Sequence, residues 1–409
     1  MSLPRPTLTI RATADVCAAM FEPAGQQCVG VELEWPVHRS GNVARRPTGR
    51  QMSRLASSAL PAGGRVTFEP GGQVELSTAP AASVRQALDA ADLDIADLSG
   101  RLQAAGLVRE TLAVDTRRPP RRVLERPRYA AMESFFGASG PAGRWMMCNT
   151  ASTQVNISHD PADPYERWFT MHRIAPVLIA AFANSPGRDL HGQHWSCLRQ
   201  GIWASIDPAR TRPVRGDRRP DQAWHEYALA ADVMFMGDGA DGGTAVAPGL
   251  PFGRWMTDGH STGWPTVEDF RYHLSTLFPP VRPRGWLELR VLDALPDWIR
   301  DAAVLTVAAA CTPDAGRELR QRLPDTGSLW LTAARDGIAH PALAQAARTL
   351  ADVVSEHLPA VSADSRDHSV LAEFTDCYLR AGRAPGTGRT SSTAGLTAQA
   401  PELTGVGSG

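Results

Sequence analysis

The chain switches between two hydrophobic periods, and each switch marks an element. Over 28–36, 65–69, 73–77 and 150–157, apolar and polar residues roughly alternate. That is the pattern of a strand with one buried and one polar face. In Gly30-Val31-Glu32-Leu33-Glu34-Trp35 it sets Val31, Leu33 and Trp35 on one face and Glu32 and Glu34 on the other. Phe68-Glu69-Pro70-Gly71-Gly72-Gln73-Val74-Glu75-Leu76 predicts two short strands joined by a tight Pro-Gly-Gly turn. Gln154 and Asn156 share a face in the strand predicted at 150–157, and Glu288 and Arg290 share one at 285–292.

Helical spacing predicts a short helix at 13–22 and a long one at 82–105, with Val84, Leu88, Leu93, Ile95, Leu98 and Leu102 as its apolar stripe. Further helices are predicted at 128–138 and 164–183, the latter stopped by Asn184-Ser185-Pro186-Gly187, and helices dominate 297–382. Residues 107–114 read as another strand, 37–50 as a polar loop, and Arg117–Arg122 as an irregular loop because consecutive prolines continue neither helix nor sheet. From Ala384 the chain is mostly Gly, Ser, Thr, Ala and Pro, which predicts a disordered tail over 384–409 after a single domain at 1–383.

Composition narrows the chemistry. With 43% hydrophobic and 21% charged residues, the 409-residue chain reads as soluble and globular, with no stretch long enough to span a bilayer and no signal peptide. Its net charge of −1 implies attraction to neither nucleic acid nor anionic membrane. Six cysteines without CxxC spacing point to reduced thiols in the cytoplasm, not a zinc site or disulfide framework, and none has the surroundings of a nucleophile. There is no lysine. A P-loop lysine, a pyridoxal-phosphate Schiff base and a lysyl-adenylate are therefore excluded, and any phosphate must be met by arginine or metal.

Carboxylates grouped on a strand face repel one another unless a cation sits between them. A hard divalent ion with oxygen ligands, Mg²⁺ shared with the phosphates of ATP, is the expected solution. A solvated edge strand is the competing reading for Glu32 and Glu34, and the two readings are evenly matched for Glu69 and Glu75 taken alone. Glu288 with Arg290 reads either as an ion pair or as a metal ligand beside an anion clamp. The six arginines of Arg117–Arg128 read mainly as a solvated loop, His191-Gly192-Gln193-His194 as a polar surface loop, and Gly237–Gly243 as a flexible loop.

Several segments in order resemble the plant- and actinobacterial-type glutamate–cysteine ligases. They are GVELE (30–34), EPGGQVELS (69–77), RYAAMESFF (128–136), MMCNTASTQVN (146–156), ANSP (183–186), SCLRQGIW (196–203), DPAR (207–210) and LSTLFPPVRPRGWLELRVLD (274–293). The resemblance implies an α+β, glutamine-synthetase-like catalytic fold, with a curved, mainly antiparallel sheet flanked by helices. It implies ATP-dependent joining of the γ-carboxyl of glutamate to the amine of cysteine through a γ-glutamyl phosphate, as in ergothioneine biosynthesis.

On this resemblance Glu32, Glu34, Glu75 and Glu288 are expected to bind Mg²⁺. Glu32, Glu69 and Arg290 are expected at the reaction itself. Gln154, Asn156, Arg199, Arg128 and Arg290 are expected to hold ATP or substrate. Two segments depart from the family pattern, Ile157-Ser158-His159-Asp160 and Gly187–His194. They leave open a ligase of the same fold with another amine acceptor. A non-catalytic binding homologue is disfavoured, because all five carboxylates and both Arg199 and Arg290 are present.

Overall fold

A computed structural model describes residues 8–23, 25–214, 218–237 and 243–388. Its centre is a six-stranded sheet made of β1 (Val29–Trp35), β2 (Arg65–Phe68), β3 (Val74–Ser77), β4 (Ser152–Ile157), β5 (Val281–Pro283) and β6 (Leu287–Asp293). The spatial order is β5-β6-β4-β1-β3-β2, and every neighbouring pair is antiparallel.

The alternation seen in the sequence fixes which face is which. Val31, Leu33, Trp35, Val74, Leu76, Val155, Ile157, Leu287, Leu289 and Leu292 are all buried. Each full burial of this kind is worth about 1.5–3 kcal/mol, so the strands cannot turn over and their carboxylates must face the other way. The helices Val84–Ala104, Glu166–Ala181 and Asp297–Ala310 pack on the apolar face, and the helices Pro341–His357 and Ser365–Phe374 stack behind them.

The long helix starts at Ser83, whose hydroxyl caps the Gln86 N–H. Its stripe differs from expectation at one point. Leu93 is exposed, and Asp94 turns inward, where its two oxygens take the N–H groups of Ala62 (2.7 Å) and Gly64 (2.9 Å). Two backbone donors satisfy the buried carboxylate, which an apolar neighbour could not do.

The expected loop at 37–50 also holds more structure than its composition suggested. Val37–Arg39 pairs with Leu107–Arg109, which is all that forms of the strand expected over 107–114. A helix then starts at Gly49 behind a Thr48/Gln51 capping box. The arginines of 117–122 are largely ion-paired, with Asp115, Glu110, Glu125 and Glu133 as partners.

At the other end, Ala384 is buried and the Gly386 N–H donates to the Ala183 carbonyl (2.8 Å), so packed chain extends past the point where the tail was expected to begin. Residues 238–242 of the glycine-rich loop and the tail from 389 lie outside the described residues. Among those described, no helix is long and apolar enough to cross a membrane.

Candidate active site

The polar face of the sheet forms the floor of a cleft of about 1340 Å³. Its walls come from Arg128, Tyr129 and Met132 on one helix, Met146 and Met147 on the next, and Trp203, Leu274 and Phe278. A small recess opens beside it, lined by Glu34, Ser152, Arg199, Trp203, Phe278 and Arg290 among others.

Register brings the carboxylates together. Glu34 on β1 lies directly opposite Glu75 on β3, and Glu69 stands at the mouth of the β2–β3 turn. An oxygen from each of Glu34, Glu69 and Glu75 lies within 4.8 Å of the others. The turn itself depends on two glycines. Gly72 has φ +84°, and a Cβ on Gly71 would sit 2.2 Å from the Cys148 carbonyl oxygen. Arg46 clamps this contact by donating to the carbonyls of Gly71 (2.8 Å) and Cys148 (3.0 Å) and to Asn149 Oδ1 (2.8 Å).

Neutral donors orient the cluster. Glu34 accepts from the Ser152 N–H and from Gln154 Nε2, both at 2.9 Å. Asn156 Nδ2 donates to Glu32 (3.0 Å), and the hydroxyl of Thr67 donates to Glu75 (2.5 Å). Burial and the charge of Glu75 push the Glu34 carboxyl up to about 7. Burial, then Glu75 and Glu34, hold Glu69 well above the usual range. Burial, then Glu288 and Glu75, raise Glu32. A cluster that resists ionising for these reasons fits a cation. In an octahedral Mg²⁺ site adjacent oxygens lie about 3 Å apart and opposite ones about 4 Å, close to the 4.8 Å within which the three carboxylate oxygens lie.

The positive half of the face is built on β6. Glu288 is fully buried and receives Arg282 bidentately (2.6 and 3.1 Å) and Arg290 at 3.0 Å. Burial opposes its ionisation, yet Arg282 and Arg290 hold its carboxyl far below the usual range. Arg290 Nη1 also donates to Gln154 Oε1 (2.6 Å), which ties the arginine to the carboxylate side.

A bulge turns Arg290 towards this face. Leu289 pairs with Val155 and Leu292 with Thr153, so Arg290 and Val291 together oppose Gln154. Arg199 braces the bulge from beneath, donating to Asp293 (3.0 Å) and to the carbonyls of Arg290 (3.0 Å) and Leu292 (2.8 Å). It is buried by these bonds and still lines the recess beside Arg290. Arg128 lies on the cleft wall and donates to the hydroxyl and carbonyl of Ser275, both at 2.8 Å.

The sequence reading therefore placed Glu32, Glu34, Glu69, Glu75, Glu288, Gln154, Asn156 and Arg290 on one face. It named Glu69 for the reaction itself, and the structure groups Glu69 with Glu34 and Glu75. It missed Arg282, the principal partner of Glu288. A tight turn at Arg284-Gly285, with Gly285 at φ +81°, was the available signal, because it puts Arg282 across the ladder from Glu288. Arg46 and Asp293 were missed as well, since both act through contacts distant in sequence.

Comparison with known proteins gives the family and the fold. Residues 28–383 match Glutamate-cysteine ligase family 2 (GCS2). The chain is 39% identical over 360 residues to glutamate–cysteine ligase EgtA of Mycolicibacterium smegmatis, covering 86% of this chain and 85% of that one. It is 38% identical over 345 residues to EgtA of Mycobacterium tuberculosis, covering 81% and 79%. The fold is similar to the solved structure of the Francisella tularensis glutamate–cysteine ligase in complex with AMP, with a TM-score of 0.54 and 13% identity over 89% of this chain and 84% of that one. The chain belongs to glutamate–cysteine ligase family 2.

Proposed function

We propose that this protein is a cytoplasmic, ATP- and Mg²⁺-dependent ligase that joins the γ-carboxyl of glutamate to the amine of cysteine, and that its γ-glutamylcysteine product serves ergothioneine biosynthesis. The observation that carries the site assignment is the convergence of Glu34, Glu69 and Glu75 within 4.8 Å, facing Arg290 across the same sheet.

A carboxylate is a poor electrophile, so its activation requires phosphoryl transfer, which is mainly a problem of positioning and charge. Glu34, Glu69 and Glu75 would hold one Mg²⁺, and Glu32 a second, which Glu288 would join by giving up an oxygen now held by Arg282 or Arg290. Bound there, the ions would neutralise the phosphates and draw charge from the transferring group. Arg290, fixed by Glu288 and Gln154, would present a guanidinium to the acyl phosphate, and Arg128 on the cleft wall would meet a substrate carboxylate, while Arg199, expected in that role, is buried and acts by holding the backbone of Arg290. The amine then displaces phosphate, and its proton passes to a carboxylate of the same face.

The departures from the family pattern weigh little against cysteine as acceptor. Residues 187–194 line neither the cleft nor the recess, and Asp189 ties them into a surface hairpin. Ser158 does line the cleft, but it also receives the Cys28 N–H (2.9 Å), and His159 bonds the carbonyls of Met20 and Pro164. These are structural roles.

The test is phosphate release coupled to product mass, with Mg²⁺, ATP, glutamate and a panel of amines including cysteine. A mass for γ-glutamylcysteine that requires both amino acids is the expected result. Turnover with a different amine would replace the acceptor, and no turnover with any pair would overturn the ligase reading. Loss of cellular ergothioneine on deleting the gene is the corresponding test of the pathway.

A further inference from the structure

One aromatic ring in the cleft has no part in the carboxylate cluster. Trp286 lies just before β6, in a turn closed by the Arg284 N–H donating to the Trp286 carbonyl (2.8 Å). Its side chain is 37% exposed and lines the cleft, whereas Trp145, Trp168 and Trp224 are fully buried. Leaving a large ring in water forfeits roughly 25 cal/mol for each Å² of apolar surface that burial would have removed.

Its orientation is also fixed. The indole N–H donates to Asn156 Oδ1 (3.2 Å), and the same amide donates to Glu32 (3.0 Å). The guanidinium carbon of Arg284 lies 5.4 Å from the ring centroid. A held ring with a cation against it, open to a cleft, is arranged to receive another flat group.

Among the co-substrates of the proposed reaction only the nucleotide carries an aromatic ring. The charges beyond Trp286 suit its phosphates. Arg284, half exposed, stands in the turn, and Arg290 follows Trp286 by four residues, about 13 Å along the strand at ~3.3 Å per residue. An extended nucleoside triphosphate spans such a distance.

We propose that Trp286 is the stacking platform for the base of ATP, with the triphosphate running along β6 towards Arg290 and the carboxylate cluster. This rests on the ligase reading above and adds a binding and specificity residue to it. Stacking in place of hydrogen-bond readout at this point selects for a base as such, so removing the base should remove the contribution of Trp286.

The experiment is calorimetric titration of the full chain with ATP and with tripolyphosphate, each with Mg²⁺, in the unmodified protein, Trp286→Ala and Trp286→Phe. Trp286→Ala should weaken ATP by about tenfold or more, the scale of a lost base–aromatic stack. Tripolyphosphate should bind all three proteins equally, Trp286→Phe should recover most of the ATP affinity, and the KM for glutamate should not move. Equal losses for ATP and tripolyphosphate, or no loss for ATP, would overturn the assignment while leaving the ligase intact. Failure of the unmodified chain to bind ATP at all would overturn the ligase reading and this one with it.

Discussion

Gln154 stands directly across the ladder from Glu32, yet its amide reaches diagonally to Glu34 at 2.9 Å. Asn156, opposite Gly30, makes the same diagonal step to Glu32 at 3.0 Å. Neutral amides thus set the direction of both β1 carboxylates without cancelling their charge. The repulsion towards Glu75 and Glu69 persists, and a cation has something to neutralise.

Replacing Glu34 by Gln keeps the shape and removes one charge from a repelling set. Thermal stability without metal should be unchanged or higher, whereas Mg²⁺ affinity should fall at least about tenfold. Melting curves and calorimetric titration with MgCl₂ separate the two effects. Glu32→Gln should likewise fold and lose turnover; an active variant would remove Glu32 from the site.

The raised carboxyls also predict a pH dependence. A carboxyl whose folded-state pKa lies above its unfolded value binds more protons when folded. Its contribution is therefore complete below the unfolded value of 4.5 and declines as pH rises towards about 7, the value for Glu34. In the metal-free protein Tm should fall across this window, and Mg²⁺ should restore it. Mg²⁺ affinity should rise through the same window, with protons released on binding. Titration in two buffers of different ionisation enthalpy counts those protons, and zero release at pH 6 would contradict the shifts.

Of the two glycines near the cluster, only one should be sensitive to an added Cβ. A Cβ at Gly71 meets the Cys148 carbonyl oxygen at 2.2 Å, so Gly71→Ala must displace the turn that carries Glu69. A loss of about 1–3 kcal/mol, typical of overpacking, should accompany weaker Mg²⁺ binding. At Gly30 the nearest atoms are 3.7 Å away, so Gly30→Ala should leave metal affinity unchanged. Denaturant melts with Mg²⁺ titration compare the pair.

How far the site could be read in advance follows from the range of the forces involved. Strand sidedness is local, so the even spacing of Glu32 and Glu34, and of Gln154 and Asn156, was visible in the chain itself. Strand order is not local. Nothing within 65–77 says that Glu75 will face Glu34, and nothing near Trp286 says that its N–H will meet Asn156, 130 residues away in sequence. The exposed Leu93 shows the same limit, because only the fold reveals that Asp94 has two backbone donors to turn towards.

Asp293 is the hub beneath Arg290. It accepts from the Asn184 N–H (2.8 Å), the Ser185 hydroxyl (2.8 Å), the Cys197 thiol (3.2 Å) and Arg199 (3.0 Å). Asp293→Ala would strand a buried guanidinium, at a cost of about 3–5 kcal/mol. Asp293→Asn, which keeps an acceptor, should cost less and retain part of the activity. Chemical denaturation of both variants provides the check, and equal losses would contradict the charge argument.

The bulge at Arg290–Val291 acts on the parity of its strand. Glu288 and Asp293 are five residues apart, an odd number, yet they pair with Asn156 and Ser152, which share one face. The single extra residue makes the odd interval behave as an even one, so Leu289 and Leu292 both reach the oil while Glu288, Arg290 and Asp293 stay with the polar side. Taking that residue out would leave a regular ladder, with Leu292 and Asp293 still on their own sides. Flattening the bulge while keeping the residue would do the opposite: every position after Val291 would change sides, carrying Asp293 into the hydrophobic layer and Leu292 into the cleft. The irregularity of this segment is therefore held as tightly as the identity of the charged residues on either side of it.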